Sequence, residues 1–540
     1  MGSVDGMENT EVLIVGAGAS GGVAAGRLAE AGFRVVCLEQ GHWPDQSSYP
    51  APRPTYELEA RRRWSGSPNV RGLAEDYPVE DSDSDVAALM FAGVGGSMIL
   101  YAADWPRLLP SDFRTRTLDG VGDDWPLSYA ELAPFYERTD RAFGVAGLGG
   151  NPALPDGADP PLPPLPIGAG GLKVARAHDR LGWHWWPAPN AVLSAPYRGR
   201  HACVQYGACM QGCPEGAKAS TDVTHWPEAI AAGATLRTGA RVSRILTNRA
   251  GLATGAEYVD QDGNWHTIGA DVVLLAANAI GTARLLLNSA SPRFPGGLGN
   301  SSGLVGKRLM VHPFANVLGF FEDRVDSYVG HVGAKIVSYE FYETDTSRGF
   351  SRGAKWSLAP TGGPLTSALP TRAGSSTWGP GHHAHVRAHL GRTVSWAIFG
   401  EDLPDERNRV ELAPGLTDSS GIPAPRIRYR VGENSRALLD FNIARATESL
   451  VEAGAYRTDY ESLMRYSGWH LLGTARMGTD PTTSVTDPHG RLHDVPNVCV
   501  LDGSVFPTSG AVNPTSTIVA LALRATEHLI ANRRNQRTAA

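Results

Sequence analysis

Residues 12–21 read VLIVGAGASG, and this stretch decides the fold. Its four apolar residues predict a buried strand, and the glycines that follow have the spacing of a tight strand-to-helix turn. Gly16 permits the turn, Gly18 lets a pyrophosphate approach the backbone, and Gly21 lets the helix pack closely on the sheet. The free N–H groups at the start of that helix favour bound phosphate.

The residues that follow complete a βαβ unit. Apolar positions up to Leu28 predict a helix that ends at Gly32, and the run RVVCL at 34–38 predicts a second strand. Glu39 stands where an acid hydrogen-bonds a ribose diol and repels the extra phosphate of NADP. The unit therefore predicts a parallel sheet with a dinucleotide site, without distinguishing NAD from FAD.

Composition excludes several classes of protein. The 540 residues contain 42% hydrophobic and 19% charged residues with a net charge of −6, which predicts a globular chain of two domains and no nucleic-acid partner. Residues 1–10 are polar rather than a signal peptide, and no apolar run is long enough to span a membrane. Five cysteines in a chain of this length do not predict a disulfide framework, so we expect a cytoplasmic protein.

The predicted secondary structure changes along the rest of the chain. Residues 314–430 are strand-like and rich in aromatic residues, whereas 498–501 predicts a buried strand and 515–530 a helix. The proline-rich segment 147–171 is too long for a plain connection and is either a lid or a surface arm. A nucleotide-binding domain built from both chain ends and the middle is thus interrupted by a sheet-rich domain.

The C-terminal segment adds motifs that are more specific than the glycine turn. They read GWHLLGTARMG at 468–478, DGSVFP at 502–507 and VNPTST at 512–517. Together with GVGGS at 93–97, residues 271–287 and the first turn, they make the chain resemble the glucose–methanol–choline (GMC) family of FAD-dependent oxidoreductases.

This resemblance implies an α/β fold with a Rossmann-type FAD-binding domain and an interleaved, sheet-rich substrate-binding domain. The expected boundaries are 8–120, 196–312 and 462–532 for the FAD-binding domain, and 121–195 and 313–461 for the substrate-binding domain and lid. The implied reaction oxidises a CH–OH donor by hydride transfer to FAD. The expected partners are a small-molecule alcohol and an electron acceptor, either oxygen or another acceptor.

The resemblance implies that His470 is the base and that Asn513 is its partner. Removing hydride from an alcohol carbon requires the hydroxyl proton to leave to a base, and imidazole titrates in a useful range. Asn513 followed by Pro514 also predicts the start of the final helix, with Asn513 as its N-cap. That helix would direct its positive dipole at the flavin.

A larger set of residues is expected to contact the cofactor. It comprises Gly16, Gly18, Ala19, Ser20, Gly21, Glu39, Gln40, Gly96, Ser97, Tyr101, Ala102, Val242, Asp502, Gly503, Asn513, Pro514 and Thr515. Some relatives carry a flavin-linked histidine at the position that Leu100 holds here. Leucine cannot form that bond, so we expect non-covalent FAD.

Two clusters invite a metal interpretation. Cys203, Cys209 and Cys213 lack the fourth ligand of a usual iron–sulfur or zinc site, and the resemblance implies a structural role beside the cofactor. The four histidines between His382 and His389 have no accompanying carboxylate, and a solvated or substrate-facing surface is the simpler interpretation. We therefore predict no metal.

The substrate stays open at this level. A primary or aryl-substituted alcohol is the first hypothesis, and a sugar or glycoside, suggested by Trp183, Trp185 and Trp186, is the second. A hydroxynitrile lyase that keeps FAD as a structural element is a less favoured alternative.

Overall fold

The structure is a computed structural model that describes residues 8–369 and 378–539, apart from residues 52 and 54. The first seven residues of the polar N-terminal stretch thus lie outside it. The first βα unit forms as the sequence predicts: β1 (Glu8–Val15), α1 (Ala19–Glu30) and β2 (Val35–Leu38) follow one another. β1 and β2 pair in parallel, with the whole of β2 buried, as expected for strands covered on both faces.

The remaining elements follow in chain order. The strands are β3 (Glu80–Ser84), β4 (Trp186–Pro187), β5 (Thr235–Arg237), β6 (Arg241–Thr247), β7 (Ala253–Val259), β8 (Trp265–Leu275), β9 (Phe314–Phe320), β10 (Ile336–Ser338), β11 (Ala354–Ala359), β12 (Thr393–Gly400), β13 (Arg409–Thr417), β14 (Pro423–Tyr429), β15 (Arg457–Glu461) and β16 (Val498–Val500). The helices are α2 (Tyr56–Glu59), α3 (Pro68–Arg71), α4 (Thr115–Asp119), α5 (Tyr129–Phe143), α6 (Gly168–Leu181), α7 (Thr221–Thr224), α8 (Trp226–Ala231), α9 (Asn278–Asn288), α10 (Pro364–Ala368), α11 (His382–His389), α12 (Glu433–Glu452) and α13 (Thr515–Ala539). Within the described ranges, no helix is long and apolar enough to cross a membrane.

The first sheet is the Rossmann-type sheet. Its strand order is β5-β2-β1-β8-β7-β6, and β16 also pairs with β8. The strands β5, β2, β1, β8 and β16 are mutually parallel, whereas β6 and β7 form an antiparallel extension. α1 and α13 pack together, so residues from both ends of the chain build one layer.

The second sheet is antiparallel, with the order β15-β9-β12-β11-β10-β4, and α12 packs against its central strands. One face is apolar: Trp356 on β11 and Trp396 on β12 are buried against Leu438 and Leu450 of α12. Successive side chains of a strand point to opposite faces, so the neighbours of these tryptophans along β11 and β12 lie on the face of the sheet away from α12. A small third sheet, β13-β14-β3, joins the two parts of the chain.

The close packing of α1 depends on Gly21. A methyl group at this position would lie 2.0 Å from the carbonyl oxygen of Gly16. We predict that Gly21→Ala destabilises the protein by about 1–3 kcal/mol, because the helix must move away from the turn. The melting temperature, followed by circular dichroism, measures this effect.

Gly26 on the same helix is the matched control. It is also buried, but its nearest neighbours would lie 4.0 Å from an added methyl group. Gly26→Ala should leave the melting temperature unchanged or raise it, since alanine favours a helix by about 0.5–1 kcal/mol over glycine. Equal melting temperatures for the two variants would contradict the packing role of Gly21.

Candidate active site

One cavity of about 500 Å³ connects the first βα turn to the C-terminal motifs. Gly16, Gly18 and Glu39 line one end, and His470 and Asn513 line the other. A cavity of this size is in the range of small-molecule and cofactor sites. The sequence motifs that lie furthest apart along the chain therefore meet in one enclosure.

The predicted cofactor contacts fall on this cavity with one exception. Its walls include Gly16, Gly18, Ala19, Ser20, Glu39, Gln40, Gly96, Ser97, Tyr101, Ala102, Val242, Asp502, Gly503, Asn513, Pro514 and Thr515. Gly21 lies behind the turn, where it packs the helix. A methyl group on Gly96 would lie 2.8 Å from the Cα atom of Gly18. Glycine at both positions therefore lets the loop at 93–97 approach the first βα turn closely. This cradle of small residues at a helix N-terminus fits the diphosphate of FAD.

Glu39 has a second role that the sequence does not reveal. Its carboxylate accepts hydrogen bonds from the backbone N–H of Ala17 at 2.8 Å and of Gly41 at 2.9 Å. Burial raises the pKa of Glu39, and these backbone donors oppose the rise. The side chain thus fixes the glycine turn itself.

The loop at residues 96–101 is held by Lys218. This buried ammonium donates to the carbonyl oxygens of Met98, Ile99 and Tyr101 and also to that of Cys209, at 2.7–3.2 Å. Burial lowers the pKa of Lys218 to about 8. Leu100 is fully buried in this loop, with Tyr49, Trp64 and Ile99 in its cluster, and does not line the cavity.

Backbone pairing brings His312 next to His470. Met310 and Leu472 exchange both backbone hydrogen bonds at 3.0 Å in an antiparallel arrangement. His312 comes two residues after Met310, and His470 comes two residues before Leu472. In an antiparallel pair such residues lie opposite each other on the same face. The Nδ1 atoms of His312 and His470 are accordingly 2.8 Å apart.

The hydrogen-bond network assigns the tautomers of both rings. Nε2 of His312 faces the carbonyl oxygen of Ser509 at 3.4 Å, and a carbonyl can only accept, so this nitrogen carries the proton. Nδ1 of neutral His312 therefore accepts from Nδ1–H of His470. The Nε2 atom of His470 keeps its lone pair and lies 3.3 Å from Nδ2 of Asn513. This unprotonated nitrogen is able to accept a proton.

Burial and nearby charge keep the two rings neutral. Burial lowers the pKa of His312 to about 4. The pKa of His470 is lowered well below its ordinary value, first by burial and then by His312 and the ammonium of Lys355. Both imidazoles are therefore uncharged at neutral pH, with one ring nitrogen of each free of a proton. A proton acceptor must be in this state.

Lys355 fixes the amide of Asn513. Its buried ammonium hydrogen-bonds Oδ1 of Asn513 and lies 2.6 Å from Oδ2 of Asp104. Because an ammonium only donates, Oδ1 must face Lys355, and the Nδ2 donors of Asn513 face His470. The predicted N-cap role of Asn513 is wrong: α13 begins at Thr515, and the side-chain oxygen is committed to Lys355 instead.

The second sheet places Lys355 directly behind the cavity wall. Lys355 and Ser357 lie on one face of β11, opposite Phe399 and Ala397 of β12, and the last three of these residues line the cavity. The alternation in AKWSLA at 354–359 shows that Lys355 and Ser357 share a face, which by itself suggests exposure to solvent. Only the covering loops turn that face into an active-site wall.

The loop that precedes Asn513 is held at several points. Trp125 donates to Thr508 at 2.8 Å, the N–H of Asp402 donates to Ser509 at 3.0 Å, and the N–H of Ala511 donates to Tyr342 at 2.9 Å. The partner side chains are buried, so the loop has little freedom. The side chain of Asn513 is thus carried by a well-anchored loop.

The cysteine and histidine clusters lie outside the cavity walls. Cys203, Cys209 and Cys213 are free thiols, and burial raises the pKa of Cys209 to about 11. The histidines of α11 lie on the surface except His389, which packs against Phe320. In the part of the chain that the structure describes, no three His, Cys, Asp or Glu side chains are arranged to hold a metal.

Other predicted features also lie elsewhere. Trp183 packs against Phe341 and Trp356 beside the core of the second sheet. None of the residues that suggested a sugar, Trp183, Trp185 and Trp186, lines the cavity. The proline-rich segment 147–171 contributes nothing to the cavity walls, and its Leu162 and Leu165 are buried in a separate cluster. The segment is therefore a packed arm, and α6 begins inside it at Gly168.

A dinucleotide-type turn and a neutral histidine in one cavity are consistent with an oxidoreductase that has a nucleotide cofactor. Family models described as GMC oxidoreductase match residues 174–314 and 404–522, and one described as an NAD(P)-binding Rossmann-like domain matches residues 14–77. The chain is 43% identical to the 2-methyl-1,2-propanediol dehydrogenase of Mycolicibacterium austroafricanum, over 97% of this chain and 95% of the relative.

Two further comparisons agree. The fructose dehydrogenase large subunit of Gluconobacter japonicus is 29% identical, over 97% of this chain and 98% of the relative. The crystal structure of pyridoxine 4-oxidase from Mesorbium loti superposes with a TM-score of 0.63 at 20% identity, covering 96% and 99% of the two chains. The chain belongs to the GMC oxidoreductases, and its fold, flavin cofactor and action on alcohols follow from that membership.

His312 provides a test of the tautomer assignment. We predict that His312→Leu, which leaves Nδ1–H of His470 without an acceptor, slows anaerobic flavin reduction by alcohol about 10²-fold, because the ring loses its fixed orientation. His312→Asn places an amide oxygen near the position of Nδ1 and should restore most of the rate. Stopped-flow absorbance of the flavin measures both rates, with FAD content determined first.

His178→Gln is the control for loss of a buried neutral histidine. His178 is fully buried, and its ring nitrogens form hydrogen bonds with the hydroxyl of Ser449 and the backbone carbonyl of His184. This variant should keep the wild-type rate per flavin. A His312→Leu enzyme that reduces its flavin as fast as the wild type would refute the assignment.

Proposed function

We propose that this protein oxidises a primary alcohol to the aldehyde, with His470 as the base and Asn513 as the donor to the alcohol oxygen. The observation that carries the proposal is the lone pair on Nε2 of His470, a cavity-lining residue: the His312 and Ser509 contacts leave this atom unprotonated, and the Nδ2 donor of Asn513 approaches it at 3.3 Å. When bound, the flavin supplies the hydride acceptor. The chain's own residues supply proton transfer, orientation and charge.

The steps follow from the geometry. The substrate hydroxyl donates its proton to Nε2 of His470, in the position that the Asn513 amide approaches at 3.3 Å. The amide N–H of Asn513 then donates to the oxygen as negative charge develops on it. Lys355 adds a fixed positive charge behind the amide, in a water-excluding wall where such charge is effective. Loss of the proton from the hydroxyl oxygen thereby prepares the adjacent carbon to lose its hydride.

The substrate is, in this proposal, a small hydroxylated molecule. Phe314, Phe399, Met464 and Trp469 line the cavity near the base and suit an aliphatic or aryl carbon skeleton. The 43% identical relative is named for an aliphatic diol, which favours an aliphatic alcohol over an aryl one. A sugar is the second candidate, supported by the relative named for fructose.

The division of the chain is part of the proposal. Residues 8–120, 196–312 and 462–532 would form the FAD-binding domain, and residues 121–195 and 313–461 would form the substrate-binding domain, in which 313–461 carries the cavity-lining residues. The position of β1, β2, β8 and β16 in the first sheet and of β9 to β12 in the second supports this division. The electron acceptor, oxygen or another, and the cytoplasmic location stay predictions.

His470→Ala tests the base. We predict a loss of roughly 10²–10⁴-fold in the rate of flavin reduction at saturating alcohol, with a smaller change in substrate binding. In the wild type the rate should fall only below pH 6.5, because the pKa of His470 is lowered in the folded protein and the ring accepts no proton once protonated. Anaerobic stopped-flow absorbance over a pH series measures both effects.

The wild type and His470→Ala must contain the same amount of FAD per protein before their rates are compared. A fully flavinated His470→Ala enzyme that is reduced at the wild-type rate would assign the base elsewhere. Bleaching of the flavin by alcohol without oxygen also separates oxidation from a lyase reaction, in which the flavin stays oxidised.

Non-covalent binding of FAD is a separate prediction. Among the described residues, no cysteine and no histidine other than His470 lines the cavity, and Leu100 holds the position of a possible linkage. Precipitation with acid should therefore release all yellow colour into the supernatant, measured by absorbance. Colour that stays with the pellet would show a covalent bond.

A further inference from the structure

A segment of backbone runs along the cavity from the first βα turn toward the active-site residues. It begins at Gly96, which packs against Gly18, and it ends at Asp104, whose carboxylate bonds the same ammonium as the amide of the proposed active site. Residues 96–98 and 101–104 line the cavity. With the diphosphate of FAD at the turn and the proposed base at the far end, the flavin would lie along this segment.

Lys218 lies behind the middle of this segment. Its ammonium donates to the carbonyl oxygens of Met98 and Tyr101, two residues of the cavity wall, at 3.0 and 3.2 Å. Lys218 itself is buried and does not line the cavity. One layer of backbone therefore separates its positive charge from the cavity.

No ion pair cancels the charge of Lys218. Its four hydrogen-bond acceptors are all backbone carbonyl oxygens, and it forms no salt bridge within the described residues. Asp222 interacts with the charge at longer range, but its carboxylate bonds Ser220 instead. Lys355, by contrast, is paired with Asp104 at 2.6 Å. A buried charge without a counter-ion acts further than a paired one, because its surroundings screen it little.

The same contact fixes the peptide group between Tyr101 and Ala102. A trans peptide directs its C=O and N–H groups to opposite sides, so the N–H of Ala102 points away from Lys218. No acceptor in the part of the chain that the structure describes takes this N–H, and Ala102 lines the cavity. The next residue, Ala103, has a φ of 68°, which non-glycine residues rarely adopt. Lys218 thus holds a strained backbone that keeps a free donor beside the cavity.

We propose that Lys218 raises the electron affinity of the bound flavin, through its own charge and through the Ala102 N–H that it orients. A hydride carries two electrons and one proton, so a neutral oxidised flavin that accepts it gains one negative charge, while the hydroxyl proton of the alcohol leaves to the base. A nearby positive charge and a hydrogen-bond donor both stabilise that negative charge. The inference rests on the proposed placement of FAD in this cavity, but not on the identity of the base.

Two variants of the holoenzyme separate charge from packing. Lys218→Gln keeps donors for the carbonyl oxygens and removes the charge, whereas Lys218→Arg keeps both. We expect Lys218→Gln to shift the reduction equilibrium of the flavin toward the oxidised form on the order of ten- to a hundred-fold, which is about 30–60 mV for a two-electron couple. Lys218→Arg should stay near the wild type.

Anaerobic equilibration with a dye of known potential measures the flavin potential without any substrate. The measurement is made at pH 7, where Lys218 is protonated because burial lowers its pKa only to about 8. Equal shifts in the two variants would indicate packing alone and overturn the inference, as would a Lys218→Gln enzyme with the wild-type potential. Lys218→Met, which also lacks the charge, replaces Lys218→Gln in this comparison if the latter does not retain FAD.

Lys335→Gln is the matched control. Lys335 is a second buried lysine, and its ammonium donates to the backbone carbonyl of His331 at 2.8 Å. His331 does not line the cavity, so this variant should move the potential less than Lys218→Gln does. An equal movement would make the effect a general one of buried charge and refute the inference. A flavin that no alcohol reduces would instead refute the proposed function, so the two failures are distinguishable.

Discussion

The buried ammonium of Lys355 is the contact on which the active site depends. It joins three segments that are far apart in sequence: the loop that carries Asp104, the second sheet, and the loop that carries Asn513. A charge this deeply buried is stable only when it is paired, so Asp104 must stay where it is. Because ammonium has no acceptor, the same group decides which way the Asn513 amide faces. In the proposed mechanism, the orientation of the substrate oxygen would follow from that choice.

The same charge acts on both partners of the proton transfer. Lys355 contributes to lowering the pKa of His470, which weakens the imidazole as a base. In the proposed mechanism it would also stabilise negative charge on the alcohol oxygen bound by Asn513, which would make the alcohol a stronger acid. Proton transfer depends on the difference between the two pKa values, so these effects would offset each other. The proposed base would then be neutral over the physiological range and still able to take the proton of the alcohol.

Rigidity around the site comes from a second buried network. Arg352 bonds Asp112, Asp119 and Glu401, and Tyr342 links Asp112 to the backbone N–H of Ala511, just before Asn513. Removing one member of a buried ion network commonly costs about 3–5 kcal/mol, because the others lose their partners. The loop that presents Asn513 is therefore anchored to a buried ion network, which suits a group that keeps one orientation.

The sequence by itself determined the features that depend on local order. The first βα turn, the following strand and the final helix could be predicted because glycine spacing and apolar periodicity act over a few residues. The C-terminal motifs identified His470 and Asn513 through their resemblance to a family, although they suggested a helix cap for Asn513 that Lys355 replaces.

Only the tertiary structure decided the partners of those residues. His312 lies 158 positions from His470 in the chain, and Met310 and Leu472 bring the two together by backbone pairing. Strand alternation placed Lys355 and Ser357 on one face, but it could not say that loops from the first domain would cover that face. Burial turned a lysine of solvent-facing pattern into the charge that orders the site, because it is the surroundings of a side chain, rather than its identity, that set its hydrogen bonds and its pKa.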